Sequence, residues 1–113
     1  MKLKYHTTLT EEKWGKFDFY KQILMIANEL NRAKNWIEKK DFREVKLCYE
    51  RAFELLYLTI EIRNNKKKLR ELLRFKEMLG MLYIKDYPTL KENFNLLKIL
   101  VSLDKDSFKM LQF

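Results

Sequence analysis

The chain has 113 residues, of which 47% are hydrophobic and 35% are charged, and its formal net charge is +8. A domain typically takes roughly 100 to 150 residues, so the length predicts one domain spanning residues 1–113. Two glycines and one proline are too few for β-sandwiches, barrels or glycine-rich phosphate loops. The composition therefore predicts an all-α protein.

The chain has few groups for metal binding or nucleophilic catalysis, because it contains one histidine and one cysteine. His6 lies in a predicted leader, residues 1–17, where we expect it to be solvated. Cys48 falls on an apolar helix face and is expected to be a small buried residue. Carboxylate pairs such as Glu50 and Glu54 are interpreted as surface charges without a cleft to desolvate them. We therefore expect a protein without enzymatic activity, cofactor or metal.

Signals for helix starts recur along the chain, and an apolar stripe of helical spacing follows each of them. These start signals predict a short lead-in helix followed by four long helices. In chain order these signals are Thr8 or Thr10, Asp18, Asp41, Asn64 with Asn65, and Pro88. Asp104 and Asp106 offer the start of a short terminal helix within the segment 104–113. In the last long helix, the predicted core stripe contains Leu90, Phe94 and Leu97.

Few residues separate the long helices, so neighbouring helices are expected to run antiparallel. The simplest assembly is an up-and-down bundle of three to four helices, with Ala33 and Ala52 where the first two long helices approach. Sixteen aromatic residues are more than such a bundle hides easily. The surplus either covers a partner or a second subunit, or belongs to terminal segments that fold back over the bundle. Its members are Trp14, Phe17, Tyr20, Tyr87 and Phe113.

The strongest charge feature lies between residues 63 and 76, where seven basic residues accompany the single acid Glu71. Positive charges in the first turn of a helix oppose its dipole, and an anionic partner would offset that cost. The candidate anion-binding residues, called the basic stripe below, are Arg63, Lys66, Lys67, Arg70 and Arg74. On one continuous helix these residues share or adjoin a single face. The alternative is a solvated, lysine-rich face of the kind common in thermophilic proteins.

The segment 27–56 resembles the helical hairpin of tetratricopeptide repeats and of microtubule interacting and trafficking (MIT) domains. Both families place a small residue, an aromatic nine positions later, a second aromatic seven further on, and an alanine three beyond that. In this chain those residues are Ala33, Phe42, Tyr49 and Ala52. The resemblance implies two closely packed helices, because the small residues let the backbones approach while the aromatics fill the wedge.

A second resemblance is to the flagellin-export chaperones of the FliS type, which are small helical bundles. It rests on Ala33 with Lys34, the turn at 37–41, and Arg51 with Ala52. The length and the four-helix layout agree with that family. This resemblance implies a chaperone that binds another protein.

The sequence thus favours a cytoplasmic, non-catalytic adaptor or chaperone that accepts an amphipathic helix or tail of a partner between its own helices. The predicted groove consists of apolar residues that the main stripes leave over, namely Tyr20, Leu24, Ala27, Phe53 and Tyr57. One alternative is a subunit that binds the RNA or DNA backbone through the basic stripe. Another is a structural unit that forms a homodimer. No apolar run approaches the roughly 20 residues that a membrane span requires, so none is expected.

Overall fold

The computed structural model describes residues 3–104, which contain five helices and no strand. The helices are α1 (Glu11–Gly15), α2 (Phe19–Glu38), α3 (Phe42–Glu61), α4 (Lys66–Tyr83) and α5 (Leu90–Ser102). The four long helices form a ring, in which α2 packs on α3 and α5, and α4 packs on the same two helices. The short α1 packs on α3. The predicted all-α bundle is confirmed, whereas the predicted terminal helix lies outside the described residues.

Hydrogen bonds between helix starts and helix ends establish that neighbouring helices run antiparallel. Just past α3, Arg63 donates from Nη2 to the side-chain oxygen of Gln22 in the first turn of α2, at 3.0 Å. Lys46, near the start of α3, donates to the carbonyl of the last residue of α4. Lys68, in the first turn of α4, donates to the carbonyl of Leu103, just past α5. The bundle is therefore an up-and-down one, as predicted.

Side-chain caps fix where four of the five helices begin. In each case the capping oxygen accepts the N–H of the residue three positions on, which satisfies a donor that the helix leaves unpaired. These caps are Thr10, Asp41, Asn65 and Thr89. The last of them forms a reciprocal capping box with Glu92. The predicted start at Pro88 is therefore displaced, because Pro88 stands just before the cap of α5.

The core fills the space between the four long helices. Ala33 and Ala52 are completely buried, as the sequence predicted for a close approach of α2 and α3. Cys48 is also completely buried, and burial raises the pKa of its thiol. The other fully buried large side chains include Ile23, Ile26, Leu30, Val45, Tyr49, Leu56, Leu72, Phe75, Leu79 and Leu100.

A buried asparagine sets the orientation of α5. Asn93 is 2% exposed, and its side-chain oxygen accepts a hydrogen bond from the Tyr49 hydroxyl at 2.7 Å. Its amide nitrogen donates to the carbonyl of Leu30 at 2.9 Å, so one side chain joins α5 to α3 and α2. Leu90 and Phe94 are consequently 43% and 48% exposed. The prediction that these two residues belong to the core stripe is wrong.

Residues 3–17 of the predicted leader are part of the folded structure. Trp14 is completely buried, and its indole N–H donates to Thr59 Oγ1 at 2.9 Å. It therefore serves this chain's own core, which supports the alternative that the amino-terminal segment folds back over the bundle. Phe17 and Tyr87 remain exposed, at 39% and 75%. Phe113 lies outside the described residues.

Replacing Gly80 with alanine should stabilise the protein. Gly80 lies inside α4 without a positive φ angle, and a Cβ added there meets no atom within 4 Å. Alanine restricts the unfolded chain more than glycine does, so Gly80→Ala should raise the free energy of unfolding by about 0.5 to 1 kcal/mol. Urea unfolding followed by circular dichroism measures this gain. Gly15→Ala, at the end of α1, should give less, and a loss of stability at Gly80 would contradict the helical assignment.

Enlarging Ala52 should destabilise the protein, because the residue is buried without free surface in the α3 face of the core. Ala52→Leu should lower the free energy of unfolding by about 1 to 3 kcal/mol through overpacking. Arg43→Leu, which places the same side chain at an exposed position of α3, is the matched control. Equal stability of the two variants would show that α2 and α3 do not approach closely at Ala52.

Candidate functional site

A buried carboxylate on α3 holds the amino-terminal segment. Glu54 is 3% exposed, and its oxygens accept the backbone N–H groups of Lys4 and Tyr5, each at 2.8 Å, and of His6 at 3.0 Å. The imidazole Nδ1 of His6 lies 3.1 Å from the same carboxylate. Two predictions are therefore wrong, because Glu54 is desolvated and His6 is bound within the fold.

The ionised form of Glu54 is the one that these contacts favour. Burial by itself raises the pKa of the carboxyl, but the N–H groups of Tyr5, His6 and Lys4 lower it more, so the pKa lies below its ordinary value. A carboxylate without these donors would be costly at this depth. Glu54 is thus a structural anchor, and it is occupied entirely by the chain itself.

One turn earlier on α3, Glu50 joins the same segment to α4. Its carboxylate accepts hydrogen bonds from the hydroxyl of Tyr5 and, at 2.7 Å, from that of Tyr83. The hydrogen bond from Tyr5 is the main cause that lowers the pKa of Glu50, and the same bond raises the pKa of Tyr5 to about 12. Glu50 and Glu54 together form the acidic clasp, which ties residues 4–6 to the bundle.

A cavity of about 440 Å³ lies between α3, α4 and the clasped segment. Phe53 and Tyr57 line it on α3, opposite Tyr83 and Lys76 on α4. The rings of Phe53 and Tyr83 meet edge to face, with centroids 5.8 Å apart. Two of the five residues of the predicted groove are thus brought together here.

The other three residues of the predicted groove lie on α2 and do not line this cavity. Ala27 is 1% exposed and belongs to the core, so it offers no surface to a partner. Tyr20 and Leu24 are half-buried. On α2 they stand at helical spacing with Asn31, which faces α5. The predicted groove is therefore not one surface, since its members are divided between the α3/α4 side and the α2/α5 side.

A groove of about 550 Å³ lies between α2 and α5. The exposed side chains of Leu90 and Phe94, together with the buried Leu97, form its apolar wall on α5. The remaining lining residues are Asn31, Lys34, Lys91 and Asn93. Asn93 is already satisfied by its two hydrogen bonds inside the bundle, so the groove presents mainly apolar surface to an occupant.

The rim of the α2/α5 groove is positively charged. Lys34 stands on the α2 side and Lys91 on the α5 side, and the lining includes no carboxylate. Next to them, the ammonium of Lys98 lies 5.2 Å from the centroid of the Phe94 ring. An apolar floor with lysines on both sides is complementary to a segment that is apolar on one face and acidic on the flanks.

The basic stripe is interrupted in the structure. Arg63 precedes α4 and contacts the start of α2, so it does not share a helix face with Arg70 and Arg74. The prediction of one continuous helical face from residue 63 onward is therefore wrong. Lys66, Lys67 and the two arginines of α4 are exposed.

Among residues 3–104, no three His, Cys, Asp or Glu side chains come together in an arrangement that would hold a metal ion. In the same range, no helix combines the length and apolar character of a membrane span. Comparison of the chain with protein families, curated proteins and solved structures finds no significant match. The resemblances to tetratricopeptide repeats, MIT domains and FliS-type chaperones thus stay predictions from the sequence.

Acidification should lower the free energy of unfolding by protonating the carboxylates of the acidic clasp. Because the folded-state pKa of Glu54 lies below its ordinary value of 4.5, its contribution is complete above that pH and is lost as the pH falls through the folded pKa. The free energy of unfolding, measured by urea titration, should therefore decline below about pH 5. Glu50 acts in the same direction.

Glu54→Gln isolates this contribution, because the variant keeps the side-chain shape but cannot ionise. It should lose about 1.5 to 3 kcal/mol of stability at pH 7 and show a shallower decline in acid than the native chain. Glu61→Gln, at an exposed position of α3, is the control. If Glu54→Gln matched the native chain at pH 7, the charge of Glu54 would contribute nothing to stability.

Proposed function

We propose that the chain is a non-catalytic protein-binding module whose α2/α5 groove accepts an acidic amphipathic helix of a partner protein. The observation that supports this proposal most directly is the exposure of Leu90 and Phe94 beside the 550 Å³ groove. Exposed apolar side chains that border a concave surface are typical of sites that bind another protein.

A helix is the occupant that the groove suits best. Leu90, Phe94 and Leu97 stand at i, i+4 and i+7 on α5, and they extend over about 10 Å of its length. An amphipathic helix that carries apolar residues at the same spacing can interdigitate with this row. The arrangement would continue the bundle, since the occupant would lie along α2 and α5 as those helices lie along each other.

Acidic flanks on the occupant follow from the charges around the groove. Lys34 and Lys91 line the groove, and Lys98 lies over the ring of Phe94 in its apolar wall. Rim charges of this kind contribute more to association rate and orientation than to affinity, so the apolar row supplies most of the binding energy. The net charge of +8 acts in the same direction over a longer range.

A designed peptide of about 16 residues tests the proposal, with leucines at i, i+4 and i+7, glutamates on the flanks, and a fluorescent label. Fluorescence anisotropy should detect binding to the native chain. Phe94→Asp should weaken that binding at least about tenfold, because it places a charge in the apolar row. Replacing both Lys34 and Lys91 with glutamate should weaken binding less and reduce its dependence on salt.

Two controls make the test specific. A scrambled peptide of equal composition should not bind, and Met81→Asp, at an exposed position of α4, should leave binding unchanged. Equal binding of the scrambled peptide would contradict the proposal. Concentration-dependent self-association that Met81→Asp abolishes, without any peptide binding, would favour the homodimer alternative. Binding of nucleic acid that depends on Arg70 and Arg74, again without peptide binding, would favour the nucleic-acid alternative.

A further inference from the structure

Arg63 lies at the end of the bundle where α2 begins, and neighbouring side chains hold its guanidinium in place. Its guanidinium carbon lies 4.6 Å from the centroid of the Phe19 ring, and its Nη2 donates to the side-chain oxygen of Gln22 at 3.0 Å. Gln22 is 1% exposed, and its amide nitrogen donates to the carbonyls of Trp14 and Phe17. These bonds orient the glutamine oxygen, so the guanidinium is held on the ring by groups that are themselves fixed.

A second cation shares the same ring. The ammonium of Lys68 lies 5.4 Å from the Phe19 centroid and donates to the carbonyl of Leu103. None of the ion pairs recorded among residues 3–104 includes Arg63 or Lys68. Two cations on one ring repel each other, and the exposed Lys66 and Lys67 beside them add to that potential.

The guanidinium also has an unmet donor. The Nε–H of Arg63 is buried and lacks a hydrogen-bond partner within the described part of the chain. Burial lowers the pKa of this arginine, so the surroundings disfavour its charge. The buried Nε–H leaves the guanidinium incompletely paired inside the fold, and an anion that binds its other N–H groups would offset the cost of burying its charge.

We propose that Arg63 and Lys68, positioned by Phe19 and Gln22, form a binding site for a phosphate group. The planar guanidinium matches phosphate oxygens, and the ammonium, which gives one of its three donors to the Leu103 carbonyl, keeps two for a phosphate. Four positive side chains within residues 63–68 favour a dianion over a single carboxylate. The site is independent of the α2/α5 groove, whose α2 residues, Asn31 and Lys34, lie in the opposite half of that helix.

Inorganic phosphate is the probe for the first experiment. Thermal unfolding of the full chain in phosphate is compared with that in chloride at equal ionic strength and pH 7.5. Phosphate should raise the melting temperature of the native chain, because a ligand that binds only the folded state stabilises it. Arg63→Gln and Lys68→Gln should each remove most of that increment, and calorimetry should give a dissociation constant at least about tenfold higher.

Two further variants distinguish a defined phosphate site from a general attraction of phosphate to the positively charged surface. Arg74→Gln removes the same charge from an exposed position of α4, and it should keep the phosphate increment. Arg63→Lys keeps the charge but loses the planar fork, so it should retain only part of the increment. Because Arg63 also joins α3 to α2, its variants are judged on the increment that phosphate produces and not on the melting temperature in chloride.

A second ligand shows whether the site binds a phosphodiester or a free phosphate. This ligand is an unlabelled decathymidylate without terminal phosphates. Competition of this oligonucleotide with inorganic phosphate, with loss of both in Arg63→Gln, would identify phosphodiesters as ligands. Binding of inorganic phosphate alone would identify a free or terminal phosphate. The proposal is overturned if phosphate does not stabilise the native chain, or if Arg74→Gln removes as much of the increment as Arg63→Gln does.

Discussion

The hydrogen bonds of the buried Asn93 amide determine which side chains of α5 lie at the surface of the bundle. An asparagine can be buried among apolar side chains only if its oxygen and its nitrogen both find partners. The Tyr49 hydroxyl on α3 and the Leu30 carbonyl on α2 supply them. This arrangement turns α5 so that Phe94 lies at the surface. The apolar wall of the α2/α5 groove is therefore a consequence of a polar contact in the core.

Local patterns were sufficient to predict the helices and their order. Each long helix combines an apolar repeat with a start signal, and both act within a few residues of chain. Ala33 and Ala52 could be placed in the core because small residues at helical spacing mark close approaches. The cap of α1 was confined to Thr8 or Thr10 by the residues around it, and the structure has Thr10 in that role.

The candidate sites depend on contacts between residues far apart in the chain, and these could not be predicted in the same way. The apolar periodicity of α5 is compatible with a buried Phe94, and the sequence alone gives no sign that Asn93 is buried instead. That choice depends on the hydrogen bonds that the Asn93 amide makes to Tyr49 and Leu30. Arg63 was placed on one helix face with Arg70 and Arg74 from its spacing alone, although the start signal at Asn64 and Asn65 lies between them, and the structure begins α4 at Lys66. Glu54 looked like an ordinary surface acid, because nothing near it in sequence reveals the three N–H groups that reach it from residues 4–6.

The contacts of the acidic clasp differ from those of the bundle in how far apart along the chain their partners lie. The bundle is assembled from helices that are neighbours in sequence, whereas the bonds from residues 4–6 to Glu54 span 48 to 50 positions. Such distant contacts carry the cost of closing a long loop, so they are expected to form after α3 is in place. The clasp bonds themselves are polar, whereas Leu3 and Leu9, on either side of residues 4–6, pack against the core. Since Lys4 and Tyr5 also line the α3/α4 cavity, the clasp supplies the wall of that cavity that lies outside the long helices.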